Sequence, residues 1–221
     1  MNLDVVATRL DVAPEAVRAA AALLSQSERQ RANRLAIHNG SSRFIVARAT
    51  LRRLLAARLD VQPEEIELVY GARGKPALGP SFAASGLHFN VSHCDDLAVY
   101  AFSWGREIGV DVESVRWFPD ADDVAARFFS PRENETYAAL DSLARPLGFF
   151  NCWTRKEAFI KALGDGLNHP LDSFDVSLAP NESAKILRVE NTPGERCGWR
   201  MDSFFPAPGF VAAVVTENHE L

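Results

Sequence analysis

Three carboxylates and one lysine in the second part of the chain have the types and spacing to handle a metal ion and a phosphate. Asp111 and Glu113 stand two residues apart in GVDVE, and Glu157 and Lys161 stand four apart in WTRKEAFIKALGDGL. On a strand the first pair shares one face, and on a helix the second pair shares a face with Trp153. A covered face that carries charges needs partners for them, because an isolated buried charge is very costly. A cation beside Glu157 and a phosphate beside Lys161 would meet that need.

The donor set indicates which metal would bind. Asp111, Glu113 and Glu157 offer carboxylate oxygens only, without imidazole or thiolate, which favours Mg²⁺ or Mn²⁺ over zinc. Two alternatives stay open from these residues alone. The strand pair could be the outward positions of a half-exposed strand, and the helix pair could be a surface ion pair worth about 0.2–0.5 kcal/mol.

Six other polar residues are candidates for binding an anion such as a phosphate. Residues 27–58 hold eight arginines against one acidic residue, Glu28, and the forked donors of arginine suit phosphate oxygens. GARGKP is a glycine-containing loop, and Ser92 and His93 are predicted in the polar turn of FNVSHCDD. Each signal has a plain alternative: a solvated helix face, a flexible surface turn and an incidental histidine. The candidates are Arg31, Arg43, Arg73, Lys75, Ser92 and His93.

The composition narrows the class of protein. With 221 residues, 47% of them hydrophobic, the chain can bury a sizeable core. A net charge of −5 argues against a nucleic-acid partner, no apolar run reaches the ~20 residues that cross a bilayer, and the first residues lack a signal-peptide pattern. The scattered Cys94, Cys152 and Cys197 argue against a disulfide framework and a zinc site. We therefore expect a protein of the reducing cytosol with neither a nucleic-acid nor a membrane partner.

Two long helices are expected to carry many of these residues. Apolar residues recur at helical spacing in SSRFIVARATLRRLLAARLDV, with Ser41 or Ser42 as the N-cap. A second helix is predicted from about Pro146 to Leu163, and the glycines that follow it predict a sharp end.

Strands are expected between and after the helices. They are predicted in EIELVY, on both sides of the polar turn in LHFNVSHCDDLAVYAFSW, and in IGVDVESV, SFDVSL and GFVAAVV. Ser130 and Glu133 have the spacing of a capping box. Because a helix, a proline loop and a strand follow one another twice, we predict two similar α/β halves joined near residues 104–108.

The chain also resembles a known family. The ordered set RF…GKP…FNVSH…IGVDVE…FFSPRE…WTRKEAFIKALGDGL…PLDSFDVSL spans about residues 28–178 and is similar to the 4′-phosphopantetheinyl transferases of the surfactin-synthetase type. The resemblance implies an α+β (α/β) pseudo-dimer, each half a small, mostly antiparallel sheet packed with a long helix. Coenzyme A would lie in the cleft between the halves. We place them at residues 1–106, with the nucleotide contacts, and 107–221, with the metal site and the catalytic helix.

The resemblance assigns roles to residues that match its motifs. Asp111, Glu113 and Glu157 correspond to Mg²⁺ ligands, and Glu157 also to a general base that acts directly or through water. Lys161 corresponds to the residue that faces the diphosphate. One departure is Glu28, where some relatives carry a basic residue for the 3′-phosphate, so that neighbouring arginines would have to compensate. The positions expected to hold the nucleotide are Arg31, Arg43, Lys75, Ser92 and His93, with Arg73 nearby.

The implied reaction moves the 4′-phosphopantetheine arm of coenzyme A to a serine of an acyl or peptidyl carrier protein and releases 3′,5′-ADP. A Mg²⁺-dependent diphosphate hydrolase and a non-catalytic coenzyme A-binding protein are the alternatives. We expect a monomer, because the duplication is internal. A candidate docking surface for the carrier combines three phenylalanines with three arginines, although the phenylalanines could instead be core: Phe118, Phe128, Phe129, Arg116, Arg127 and Arg132.

Overall fold

The chain folds into two halves of the same plan, each with a three-stranded antiparallel sheet and a 19-residue helix. The computed structural model describes residues 4–35, 40–71, 74–164, 169–189, 192–193 and 198–218. The elements of the first half are β1 (Asp4–Arg9), α1 (Pro14–Ala22), α2 (Gln26–Leu35), α3 (Ser41–Leu59), β2 (Leu68–Tyr70), β3 (Pro76–Leu78), β4 (Leu87–Cys94) and β5 (Leu97–Trp104).

The second half repeats this order of strand, short helices, long helix and final strands. Its elements are β6 (Ile108–Ser114), α4 (Ala121–Phe128), α5 (Pro131–Ala138), α6 (Arg145–Leu163), β7 (Phe174–Val176), β8 (Ile186–Val189), β9 (Thr192–Pro193), β10 (Trp199–Phe204) and β11 (Phe210–Glu217). The main sheets have the orders β1-β5-β4 and β6-β11-β10, so the last strand is central in each. The predicted α+β fold of two similar halves is therefore confirmed.

The two main sheets pack against each other, and the long helices cover their outer faces. In the first half, α3 buries Leu51 and Leu55 with Tyr100 of β5. In the second, α6 buries Phe159 with Val211 of β11. A third apolar cluster draws on both sheets and fills the space between them, so that the layers run helix, sheet, sheet, helix. Its buried members are Leu97, Val99, Ala101, Ile108, Val110, Val112, Phe210, Ala212 and Val214.

A capping box precedes the long helix in each half. The Ser130 N–H donates to Glu133 Oε2 at 2.7 Å, and the Glu133 N–H donates to Ser130 Oγ at 3.2 Å, as the spacing predicts. Ser25 and Glu28 form the same reciprocal pair, at 2.8 and 3.3 Å. Each box satisfies main-chain donors that the first turn of a helix leaves open.

Three sequence predictions need correction. The first long helix begins at Ser41, with Gly40 rather than a serine at the N-cap. EIELVY is a strand only from Leu68 onward. Ser92 and His93 lie within β4 rather than in a turn, because pairing of β4 with β5 continues to Cys94 and Leu97 and leaves only two residues to reverse the chain. None of the described helices combines the length and apolar character needed to span a membrane.

Candidate active site

The strand β6 lies unusually close to the helix α6, and Gly109 allows it. A Cβ atom at this position would lie 2.1 Å from the carbonyl oxygen of Ala158 and 2.3 Å from the nitrogen of Ala162. Because side chains alternate along a strand, Asp111 and Glu113 share the α6 side with Gly109. Val110 lies in the apolar layer between the sheets, on the opposite face. The predicted alternation is confirmed, although the acidic face is covered by the helix rather than exposed.

A lysine, a serine and an aspartate from three different elements meet in one triangle. Lys161 Nζ on α6 lies 2.6 Å from Asp111 Oδ1, and Ser92 Oγ on β4 donates to the same oxygen at 2.8 Å. Lys161 Nζ also donates to Ser92 Oγ at 3.2 Å. Asp111 is 4% exposed, and its ion pair with Lys161 offsets the cost of burying its charge. The triangle joins the two halves of the chain at their shared edge.

Glu157 lies one turn before Lys161 on α6 and is half-buried. Burial raises the pKa of the Glu157 carboxyl; Lys161 opposes the shift, and Asp111 and Glu113 add to it. Burial also raises the pKa of Glu113, with a smaller contribution from Asp111. The charges of the three carboxylates and Lys161, which come from two elements, thus act on one another.

The three carboxylates suit an oxygen-preferring cation in their chemistry. Among the described residues, no three histidine, cysteine, aspartate or glutamate side chains are drawn together tightly enough to form a metal cluster, and Lys161 occupies one oxygen of Asp111. Its other oxygen, Oδ2, is buried and has no hydrogen-bond partner in the described part of the chain. A buried acceptor without a partner is costly, and a hard cation such as Mg²⁺ would satisfy it. The residues therefore fit such an ion.

Cys94, at the end of β4, also contacts this group, and it was missed from the sequence. Its Sγ lies 3.2 Å from Glu113 Oε2. The signal was available, because Cys94 follows Ser92 by two residues and so shares its face of the strand. A lone cysteine without a metal-binding spacing was nevertheless discounted.

A cavity of about 570 Å³ opens between the first-half helices and β4. Of the predicted nucleotide contacts, Arg31, Arg43 and His93 line it. The pKa of His93 is lowered by burial and then by the positive charge of Lys161. Ser92, on the opposite face of β4, contacts Asp111 and Lys161, and its contact with a nucleotide stays a prediction.

Two arginines of the cavity already have acidic partners. Arg43 forms a bidentate ion pair with Asp11, at 2.7 and 2.8 Å. The hydrogen bonding to Asp11 raises the pKa of Arg43. Arg48 lines the cavity although the sequence analysis did not single it out. It lies 3.6 Å from Glu28. Glu28 itself is buried against Arg52, so it carries no free negative charge into the cavity.

Lys75 does not line that cavity, although its neighbour Pro76 does. Its Nζ donates to the main-chain carbonyl of Lys161 at 2.8 Å and to that of Ile108 at 3.4 Å, and it lies 3.5 Å from Glu107. Lys75 therefore connects the β2–β3 loop to the second half and lines a separate cavity of about 680 Å³. Arg73, also predicted to bind the nucleotide, lies outside the described residues.

Two residues of the α6 motif act within the protein rather than toward a ligand. Trp153 is partly buried and stacks on the Phe149 ring, with 6.2 Å between centroids. Lys156 is fully buried, pairs with Glu133 at 2.8 Å, and donates to the carbonyl of Leu171. Both residues fix α6 to its surroundings: Trp153 packs one turn before Glu157 on the same helix face, and Lys156 anchors the helix to α5 through Glu133.

The candidate docking surface changes in composition. Phe129 is 2% exposed and belongs to the core, which is the alternative that the sequence favours for at least one of the three phenylalanines. Phe118 and Phe128 are partly buried. Trp117, which the sequence analysis did not consider, is 77% exposed, and it lines a shallow groove with Arg116 and Phe118. A large exposed aromatic flanked by arginine was the signal to look for.

Comparison with known proteins identifies the family of this chain. A family model described as 4′-phosphopantetheinyl transferase superfamily matches residues 107–215, and one described as 4′-phosphopantetheinyl transferase, N-terminal, matches residues 12–104. The 4′-phosphopantetheinyl transferase HetI of Nostoc sp. is 40% identical over 194 residues, which is 88% of this chain and 78% of that protein.

Two proteins of Bacillus subtilis are similar as well. One, a 4′-phosphopantetheinyl transferase, is 32% identical over 75% of this chain and 71% of its own. The 4′-phosphopantetheinyl transferase Sfp is 28% identical over 86% of this chain and 81% of its own. With a site of this geometry and relatives this similar along most of their length, the chain belongs to the 4′-phosphopantetheinyl transferase superfamily.

Proposed function

We propose that this protein transfers the 4′-phosphopantetheine arm of coenzyme A to a serine hydroxyl of an acyl or peptidyl carrier protein, with release of 3′,5′-ADP. One observation carries the proposal: Lys161, Asp111 and Ser92 meet in a triangle, and His93, the residue that follows Ser92 on β4, lines an arginine-lined cavity. A phosphate anhydride that enters from this cavity would place its charge next to Lys161 and the carboxylates. Family membership supports the same reaction.

The nucleotide end of coenzyme A is assigned to the arginine-lined cavity. Arg31 and Arg48 lie at its wall, with guanidinium groups 5.4 and 5.7 Å from the centre of the Phe44 ring. This packing holds both side chains in place, so less conformational entropy is lost when they bind a phosphate. Arg43, which is paired with Asp11, and His93 complete the wall. Glu28 stands where some relatives carry a basic residue for the 3′-phosphate, and we assign Arg48 to supply that positive charge.

A divalent cation, Mg²⁺ or Mn²⁺, is assigned to Asp111, Glu113 and Glu157. When bound, such an ion neutralises negative charge on the diphosphate. The support is the chemistry of the three carboxylates and the buried Oδ2 of Asp111 that lacks a partner among the described residues. No ligand in this set is a nitrogen or sulfur atom, which suits a hard ion.

Glu157 and Lys161 are assigned the catalytic roles. Glu157, directly or through one water molecule, takes the proton from the carrier serine, and general-base catalysis of this kind typically contributes about 10²–10⁴-fold. The Lys161 ammonium stabilises the charge that develops on the phosphate oxygens as the bond to 3′,5′-ADP breaks. The nucleophile belongs to the carrier, so the chain needs none of its own.

The division of labour between the halves follows from these assignments. Residues 1–106 supply the arginine wall and Ser92, and residues 107–221 supply the carboxylates and Lys161. The site is complete within one chain, which supports a monomer as the working unit. The groove at Trp117 and Phe118, with Arg116 and the exposed Arg127, is assigned to docking of the carrier, whose domains are often acidic.

The direct test is an intact-mass measurement on apo carrier proteins after incubation with this protein, coenzyme A and Mg²⁺. We expect the carrier to gain the mass of one phosphopantetheine arm, and we expect EDTA to prevent the gain. Consumption of coenzyme A without a change in the carrier would instead identify a hydrolase. Coenzyme A that binds but is not consumed would identify a binding protein.

A further inference from the structure

Three alternate side chains of β4 reach across the boundary between the halves and contact β6. The side-chain oxygen of Asn90 accepts the main-chain N–H of Val110 at 2.9 Å. Ser92 Oγ donates to Asp111 Oδ1 at 2.8 Å, and Cys94 Sγ lies 3.2 Å from Glu113 Oε2. The first half therefore holds the acidic strand of the second half by a row of polar contacts, one at every second residue.

The last contact of this row acts on a carboxylate that has a competing partner. Arg116 Nη1 lies 3.8 Å from Glu113 Oε2, on the same oxygen as the thiol. Arg116 is 53% exposed in its side chain and also donates to the Ser114 hydroxyl at 2.8 Å. Without a donor at Cys94, the Glu113 carboxylate would be free to turn toward Arg116 and the solvent. The thiol lies closer to this oxygen than Arg116 does, and its other contact, with Ser114 Oγ, is longer at 3.8 Å.

We propose that Cys94 is a positioning residue for the transfer reaction, whose thiol orients the Glu113 carboxylate for a divalent cation as Ser92 orients Asp111. The inference rests on the proposed function, because it takes Glu113 to be a metal ligand. Groups that hydrogen-bond to ligating carboxylates orient them, and their loss typically lowers metal affinity or activity about 10- to 100-fold. Since a thiol is a weak donor, we expect an effect near the lower limit for Cys94.

The test measures Mn²⁺ affinity by electron paramagnetic resonance on the full chain without coenzyme A. Cys94→Ala removes the donor, and Cys94→Ser keeps one on a shorter side chain. Ser203→Ala is the matched control, because it removes a single hydrogen bond, from Ser203 Oγ to the carbonyl of Ala212, on the far strand of the second sheet. Thermal melting of all three variants verifies that they are folded.

We expect the Mn²⁺ dissociation constant to rise about 10-fold in Cys94→Ala, to be largely restored in Cys94→Ser, and to be unchanged in Ser203→Ala. The metal concentration that gives half-maximal transfer should rise in parallel, whereas kcat at saturating metal should recover. Equal affinities in Cys94→Ala and the wild type would overturn the positioning role. So would equal losses in the alanine and serine variants, which would indicate packing alone.

The same experiment separates this inference from the proposed function. A wild-type protein that modifies carriers but binds no Mn²⁺ overturns the role of Cys94 and leaves the transfer reaction standing. A wild-type protein that binds Mn²⁺ but modifies no carrier overturns the proposed reaction. In that case the change in affinity between Cys94→Ala and Cys94→Ser still decides whether the thiol orients Glu113.

Discussion

Arg52 and Lys156 hold the same place in the two halves of the molecule. Each lies at the same distance from the start of a 19-residue helix, and each pairs with the glutamate of a capping box at 2.8 Å: Arg52 with Glu28, and Lys156 with Glu133. Each also donates to main-chain carbonyls beyond the end of its helix. A buried cation thus connects a short helix, a long helix and the segment that follows in both halves.

Loss of one member of such a pair should destabilise the fold. Lys156→Ala leaves Glu133 buried without a countercharge, and breaking a buried pair in this way costs about 3–5 kcal/mol. We expect the free energy of unfolding, measured by urea denaturation, to fall by that amount. Arg52→Ala should lower the free energy of unfolding in the same way, because it leaves Glu28 of the first half without its buried partner.

The double variant Lys156→Met/Glu133→Gln is the control for this prediction. It removes both charges, and replacement of a whole buried pair is often close to neutral. We expect a much smaller loss than in Lys156→Ala. A double variant as unstable as the single one would show that shape rather than charge compensation dominates at this position.

Glu157→Gln should remove most of the transfer activity without unfolding the protein. The amide keeps the size of the side chain but neither accepts the serine proton nor carries a negative charge, so we expect kcat to fall about 10²–10⁴-fold. The readout is the rate of holo-carrier formation, with the melting temperature measured alongside. Glu135→Gln, at an exposed position of α5, should retain full activity. Turnover close to wild type in Glu157→Gln would exclude the general-base role.

Gly109→Ala should damage both the fold and the site. The added methyl group would overlap main-chain atoms of α6 rather than a movable side chain, and overpacking of this kind typically costs about 1–3 kcal/mol or more. We expect a lower melting temperature together with weaker transfer. Gly71→Ala is the matched control, because the nearest atom to its Cβ is 3.9 Å away. A fully stable Gly109→Ala protein would contradict the close packing of β6 on α6.

Arg31→Ala should weaken the binding of coenzyme A and spare the chemical step. Hydrogen bonds to charged groups contribute about 1.5–3 kcal/mol, so we expect KM for coenzyme A to rise about 10-fold or more at unchanged kcat. Steady-state kinetics at fixed carrier concentration give both constants. Arg18→Ala, which removes an exposed arginine of α1, should leave them unaltered. An equal rise in the KM for the carrier would move Arg31 away from the nucleotide.

Arg127→Glu should weaken recognition of the carrier alone. Arg127 is exposed on α4 beside Phe128, and reversal of its charge would repel an acidic partner. We expect a higher KM for the carrier and an unchanged KM for coenzyme A, with a smaller effect at high salt. Arg53→Glu makes the same charge reversal on the exposed side of α3 and should have no effect. Equal changes in both KM values would defeat the docking assignment.

Local patterns in the sequence were sufficient to predict most helices and strands and to predict that Asp111 and Glu113 share one face of their strand. The helix ending at Leu163 and the alternation around Asp111 follow from spacing within one element, where geometry is fixed by the backbone. The partners of Lys75 and Cys94 could not be found in this way. Lys75 binds a carbonyl 86 positions away, and Cys94 meets Glu113 only because two separate sheets pack with a particular offset. Such contacts depend on tertiary packing.

The sequence predicts Ser92 in a turn, whereas the structure places it on β4 with its hydroxyl on Asp111; its contact with a nucleotide stays a prediction. As a residue of a turn it would have been free to point into solvent. As a residue of a strand at the boundary between two sheets, its hydroxyl is buried and must be paired within the protein. Phe129 shows the same limit, because the sequence leaves open which of the three phenylalanines is core, and its packing against Phe149 of α6 decides it.

The contact between Ser92 and Asp111 joins two halves that one polypeptide carries, and this bears on how the protein behaves on dilution. A site shared by separate subunits loses its activity when they dissociate. Here each half is tethered to the other, and even a flexible tether corresponds to an effective concentration on the order of millimolar. Activity per molecule should therefore remain constant down to the lowest enzyme concentration that can be assayed.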